Sequence, residues 1–344
     1  MRSVLPVLLA SIVAASCGAP AVTPAEPAVA RQSASATPTV AATAPVPSPT
    51  AEPTPAPIES PLPTPVPTAE PTATPARAIA LAPAPTQAPT PRPTPAAPAA
   101  SNVPVLAADA AGLASQLIAT ERAVRDPAIT GESLLWNGHL QQLVYRKLVD
   151  VPALRDPVFA LIPADLRYAA DFNLAAGAEL RSMHSLPRST LPLWRIVDPA
   201  SVDELLGYYK AAEAEFGVHW SYLASIHLIE TRMGRIRGVS SAGAQGPMQF
   251  IPATWAAYGE GDVNSNKDAI RAAARYLKAS GYATNLDLAI WRYNHSYKYV
   301  RAVKHYAQVM QTDPDAYRGY HQWQVYYLTS YGDVLLPVGY VNGS

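Results

Sequence analysis

Prolines decide where this chain can fold. Twenty-four of its 36 prolines fall within the first 100 residues, mostly as Thr-Pro, Ala-Pro and Val-Pro pairs. Proline has no backbone donor and a fixed φ, so such a run is excluded from helix and sheet and favours polyproline II. Regular structure is therefore confined to the part of the 344-residue chain beyond about residue 102. About 240 residues remain there, enough to bury a sizeable core.

Residues 1–16 have the form of an export signal, with Arg2 followed by an apolar run from Val4 to Ala15 that is too short for a permanent membrane span. The run ends in Ala14-Ala15-Ser16-Cys17-Gly18, which resembles the lipobox of bacterial lipoproteins, although Ala14 stands where Leu is usual. Cys17 is the single cysteine of the chain and the expected lipidation site, which would tie the protein to a membrane; the alternative is an ordinary secretory signal. Residues 17–101 form the Pro/Thr/Ala-rich linker, and about 80 such residues would extend roughly 250 Å. Equal numbers of basic and acidic side chains, 26 of each, argue against a nucleic-acid partner and fit work beside an anionic polymer. A monomer is expected.

Beyond the linker the periodicity is helical, so the expected fold is mainly α. Residues 102–200 read as a helical accessory region packed on residues 201–312. Helices are expected over 105–126, with Leu113, Leu117 and Val124 inward, over 132–147, with Leu135, Leu140, Leu143 and Val144 inward, and over 165–182. Ser201-Val-Asp-Glu204 is a capping box opening a helix to about Phe216, ended by Gly217. Further helices are expected over 269–280, capped by Asp268 and stopped by Gly281, over 286–293 and over 297–311. In the aromatic-rich extension 313–344, Gln324–Thr329 and Val334–Val338 read as two short strands around Ser330-Tyr-Gly-Asp333, with most of the aromatics in the core. Asp262-x-Asn264-x-Asn266-x-Asp268 is half a calcium loop without its central Gly and terminal Glu; a turn and a helix cap explain it better, and neither metal nor cofactor is expected.

The chemistry concentrates in one stretch. Trp220 to Gly234 reads as a helix apolar on all sides, hence buried, interrupted near its end by Glu230. Ser240-Ser-Ala-Gly-Ala-Gln-Gly-Pro-Met-Gln249 is too rich in Gly and Pro for a regular element, so it reads as a tight loop, followed by a helix from Pro252. A buried carboxyl facing a glycine-rich loop acquires a raised pKa and is a natural proton donor. His227, one turn earlier, reads as a core histidine. Arg232 and Arg235 would oppose that rise, so both are expected to point outward.

These residues carry a likeness. Glu230-Thr231, then Ser240-x-x-Gly243-Ala244-x-Gly246-Pro-Met248-Gln249 with Pro252-x-Thr254, then Ala289-x-x-x-Tyr293-Asn294, resemble in order and spacing the three motifs of the soluble lytic transglycosylase domain. Thr231 stands for the family's Ser, Pro247 for its Leu, and His295-Ser296 for its Ala-Gly. The resemblance covers residues 201–312 and implies a lysozyme-like catalytic domain. It also implies non-hydrolytic cleavage between N-acetylmuramic acid and N-acetylglucosamine in peptidoglycan, leaving 1,6-anhydro ends, by a protein exported to the cell wall or anchored at the membrane. By the same resemblance Glu230 is the catalytic acid and base. Ser240, Gly243, Ala244, Met248 and Gln249 contact the glycan, and Tyr293 and Asn294 stand across the cleft, with Tyr293 bonded to the acid or the intermediate. Two alternatives stay open: a hydrolytic muramidase, whose second carboxylate would be Asp262 or Asp287, and a non-catalytic wall-binding lipoprotein.

Overall fold

A computed structural model describes residues 103–183 and 188–342. The signal, Cys17 and the linker to residue 101 lie outside the described residues. Among those described, the chain is mainly helical, with eleven α-helices and two small antiparallel sheets.

Helix α1 (Ala110–Arg125) starts later than expected because Asp109 accepts from the backbone of Gly112 at 2.7 Å, while Gln116 reaches back to hold Ala107 and Val105 extended. Helix α2 (Gly131–Asp150) buries Leu134, Val144 and Leu148 but leaves Leu135 41% exposed. Val144 is thus inward as expected and Leu140 and Leu143 are half-buried, but Leu134 takes the inward place expected of Leu135. After short α3 (Arg155–Phe159), α4 (Ala164–Met183) returns along the molecule. Strand β1 (Arg195–Ile196) leads to α5 (Val202–Phe216), which is capped by Ser201 and ended by left-handed Gly217 as its sequence predicts.

Helix α6 (Trp220–Thr231) is buried on nearly every side, which its unbroken apolar run requires. It stops three residues short of Gly234. Arg232 and Met233 already turn left-handed, at φ 53° and 60°. Thr231 holds this turn, donating its hydroxyl to the Pro247 carbonyl at 2.6 Å and accepting from the Gly234 amide at 3.1 Å. Strand β2 (Ile236–Arg237) pairs with β1, and α7 (Pro252–Tyr258) begins on its proline. Helix α8 (Asn266–Ala279) is capped by Ser265, not Asp268; the Asp268 carboxylate instead reaches back to the Asp262 amide at 3.0 Å and closes the preceding turn. Helices α9 (Leu286–Asn294) and α10 (Tyr297–Thr312) complete this part of the chain.

Helix α10 lies between α4 and α6, burying Tyr299, Val303, Tyr306 and Met310 at helical spacing. Helix α11 (Ala316–His321) packs on α1 and α2. Strands β3 (Val325–Thr329) and β4 (Gly332–Leu336) form the expected hairpin. Leu117 and Val144 of the accessory region, Leu223 of α6 and Tyr317 of the extension belong to one continuous core. Tyr317, Tyr320 and Trp323 are buried there, whereas Tyr331 at the hairpin tip is 91% exposed. Buried Gln142 of α2 acts as a backbone surrogate for the extension, bonding both the amide and the carbonyl of Gln324.

Candidate active site

Glu230 is carried on the last turn of α6, half-buried, where the helix meets the loop 240–249. The apolar surroundings that make α6 a core helix also disfavour a charge at its end. Burial pushes the Glu230 carboxyl up to about 7, against the opposing pull of a hydrogen bond from Tyr299. That bond runs from the Tyr299 hydroxyl to Glu230 Oε1 at 2.6 Å. Tyr299 sits in the first turn of α10 and is 1% exposed, so its hydroxyl is held in place. Burial and the neighbouring Glu230 raise the Tyr299 phenol well above its ordinary range, and it stays a donor at any working pH.

The expected bond from Tyr293 to the acid is not made. The Tyr293 hydroxyl donates to the carbonyl of Met248 at 2.7 Å. Its ring stacks parallel to that of Tyr299, with centroids 6.5 Å apart. Tyr293 therefore ties the glycine-rich loop to α9 and buttresses the tyrosine that does contact the acid. Asn294, the last residue of α9, is exposed and makes no side-chain hydrogen bond among the described residues.

The loop holds itself by local bonds. Ser240 Oγ accepts from the amides of Ala242 and Ala244 at 3.2 and 3.0 Å, and its amide donates to the Ala244 carbonyl. Gly246, at φ +71°, permits a close approach of backbone to backbone: a Cβ there would meet the Val263 carbonyl oxygen at 1.9 Å. The glycine thus serves loop packing. Met248 is fully buried and Ala244 nearly so. Gln249, left-handed at φ 51°, bonds the Gly246 carbonyl through Nε2.

Glu230 opens on a cavity of about 670 Å³. Its walls come from distant parts of the chain: Arg146 of α2, Asn173 and Arg181 of α4, Trp194 before β1, and Tyr326, Tyr327 and Asp333 of the hairpin. Of the residues anticipated as the site, Glu230 and Ser240 line this cavity. Gly243, Ala244, Met248, Gln249, Tyr293 and Asn294 do not. Two arginines also depart from expectation. Arg235 is buried, 3% exposed, and donates to the His321 carbonyl at 3.1 Å. Arg232 faces inward and lines the cavity, with Nη1 on the Leu228 carbonyl at 2.6 Å. Glu230 keeps its raised pKa because burial outweighs the lowering bond from Tyr299.

Other carboxylates are engaged. Asp333 pairs with Arg146 and with Arg181 at 3.0 Å, and Arg181 also holds Asp150 at 2.9 Å. Asp287 pairs with Lys304 at 2.7 Å, and Asp262 accepts from the Asn264 amide at 2.9 Å; neither lines the cavity. His227 is a core residue, bonded through Nδ1 to the Tyr209 hydroxyl at 2.7 Å and lowered by burial to about 3. Among the described residues no group of three or more His, Cys, Asp or Glu is placed to hold a metal ion.

The sequence reading missed Tyr299, Arg232 as a wall residue, and the whole contribution of α2, α4 and the hairpin. Tyr299 belongs to the buried face of α10 at 299, 303, 306 and 310, so periodicity marks it as inward, but nothing in the three motifs marks it as a partner of Glu230. Comparison with family models, with curated proteins and with solved structures returns no match.

Proposed function

We propose that the protein is a peptidoglycan lytic transglycosylase with a lysozyme-like catalytic region, in which Glu230 is the single acid and base. One observation carries this reading: a carboxyl held near pH 7 opens on a ligand-sized cavity, in the sequence context of the three motifs. The carboxylic acid gives its proton to the glycosidic oxygen as the C1–O bond of the muramyl residue breaks. The resulting carboxylate then takes the proton of the muramyl C6 hydroxyl as O6 bonds to C1. The products are a 1,6-anhydro end and a free 4-hydroxyl on the released chain, and no water is consumed. A pKa near 7 suits a group that must be acid first and base second. Tyr299 fixes the carboxyl's orientation and stabilises the charge it carries between the two transfers.

A hydrolase would need a second carboxylate to hold water. The two side chains anticipated for that role lie outside the cavity lining, and Asp150 and Asp333 within it are bound by arginines. In the same reading Cys17 carries a lipid anchor and the proline-rich segment spans from membrane to wall. Mass spectrometry of purified sacculi after digestion tests the chemistry. Anhydromuramyl ends are expected; reducing ends in their place mean a hydrolase, and no release at all means a binding protein.

A further inference from the structure

The cavity beside Glu230 carries charge that the proton transfers do not use. Four arginines line it, Arg146, Arg181, Arg188 and Arg232, against the carboxylates Asp150 and Asp333. Four positive and two negative groups leave an excess of two positive charges before Glu230 is counted, in a chain whose formal net charge is zero. Arg146 and Arg181 are matched by the two aspartates. Arg188 and Arg232 have no carboxylate partner among the described residues.

Arg232 is the better placed of the two. It caps α6 in a left-handed turn, and its one side-chain hydrogen bond, to the Leu228 carbonyl, anchors the guanidinium to the helix end. The other N–H groups of that fork have no acceptor among the described residues. These groups are not sealed from water, so an anion entering the cavity can reach them. Free N–H groups on a guanidinium call for an acceptor-only group, and an ionised carboxylate is one. Arginine binds it through two parallel bonds. Trp194 and Tyr327, edge to face at 5.5 Å, add an aromatic surface on the same cavity for a sugar ring.

We propose that this cavity is a subsite for a carboxylate carried by the muramyl residue, with Arg232 as its anchor. The carboxylate is either the lactyl group itself or an acid of the peptide attached to it. The inference rests on the transglycosylase reading for the sugar that bears the charge.

The test is calorimetric binding to the full chain carrying Glu230→Gln, which prevents turnover. Three probes are compared: N-acetylglucosaminyl-N-acetylmuramic acid with a free lactyl carboxyl, the same disaccharide bearing its peptide, and neutral diacetylchitobiose. At least one acidic probe is expected to bind about tenfold or more tighter than chitobiose, and which one does so identifies the source of the carboxylate. Adding Arg232→Gln is expected to erase that preference, while Arg232→Lys, which keeps the charge, retains part of it; melting curves verify that each variant is folded. Equal affinity for all three probes in Glu230→Gln overturns the subsite, as does an undiminished preference in folded Arg232→Gln. Digestion of sacculi by the wild-type protein separates the two readings. Anhydro products with no acidic preference leave the enzyme and remove the subsite, and preference without cleavage does the reverse.

Discussion

Replacing Glu230 with Gln should stabilise the protein while silencing it, and the size of the gain comes from the carboxyl's environment. Its pKa is about 7 in the fold against an ordinary value of 4.5. The folded state therefore binds the proton more tightly than the unfolded chain. Between these two values the unfolded carboxyl is ionised and the folded one is not, so stability falls as pH rises through this window and is level above it. That difference, at about 1.4 kcal/mol per pH unit, gives about 3.5 kcal/mol as a ceiling. Glu230 opens on the cavity, where water screens part of the penalty, so about 1–3 kcal/mol is expected. Glutamine does not titrate, and its amide oxygen still accepts from Tyr299. Above pH 7 the variant should melt about 2–10 °C higher than the wild type, relative to their difference at pH 4.5. Its turnover should be nearly abolished, since an amide neither gives nor takes the proton. Thermal melts of both proteins from pH 4.5 to 8, with muropeptide release measured alongside, decide the matter. A melting difference that does not change with pH refutes the buried-acid argument, and wild-type release by the variant refutes the role of Glu230.

Tyr299→Phe removes a donor that favours the ionised carboxyl, so the Glu230 pKa should rise above 7 and the alkaline fall of kcat/KM should move up by about one pH unit; a pH–rate profile with an unmoved alkaline limb counts against it. Tyr293→Phe leaves the Met248 carbonyl without its donor and should cost about 1 kcal/mol in urea unfolding, with a smaller loss of rate than Tyr299→Phe; a hundredfold rate loss at unchanged stability would return Tyr293 to the reacting centre. Gly246→Ala forces a Cβ against the Val263 carbonyl in a left-handed backbone and should destabilise by at least about 2 kcal/mol, so a near-normal melting temperature would mean that the loop is not held there.

The helical character of the chain was legible because it rests on local signals. Ser201 and Gly217 frame α5, Pro252 opens α7, and the hairpin falls where its alternating residues place it. Where a side chain had two local roles open to it, the reading slipped. Asp268 closes a turn while Ser265 takes the cap, and α6 ends on Thr231 through bonds to a carbonyl 16 residues away. Glu230 stood out because a carboxyl in a largely apolar run is a local anomaly. Tyr299 did not, because a tyrosine on the buried face of a helix looks the same whether its hydroxyl meets a core carbonyl or an acid. The arginines were misjudged for a related reason. Sequence shows a charge beside Glu230, but only packing shows that the Arg232 fork is drawn to the Leu228 carbonyl and the Arg235 fork to that of His321.

The walls of the cavity also set a timetable. Helix α4 must find α10 across more than a hundred residues, and Gln142 waits for Gln324, 182 positions later. Contacts so far apart are slow to form because the loop between them must close first. A chain interrupted before Val325 carries Glu230 and Tyr299 in full but lacks Tyr326, Tyr327 and Asp333, and with them one whole side of the chamber. The cavity is thus completed by strands made after the helices that carry Glu230 and Tyr299. Chains that stop short of β3 and β4 therefore carry Glu230 and its tyrosine without the cavity around them.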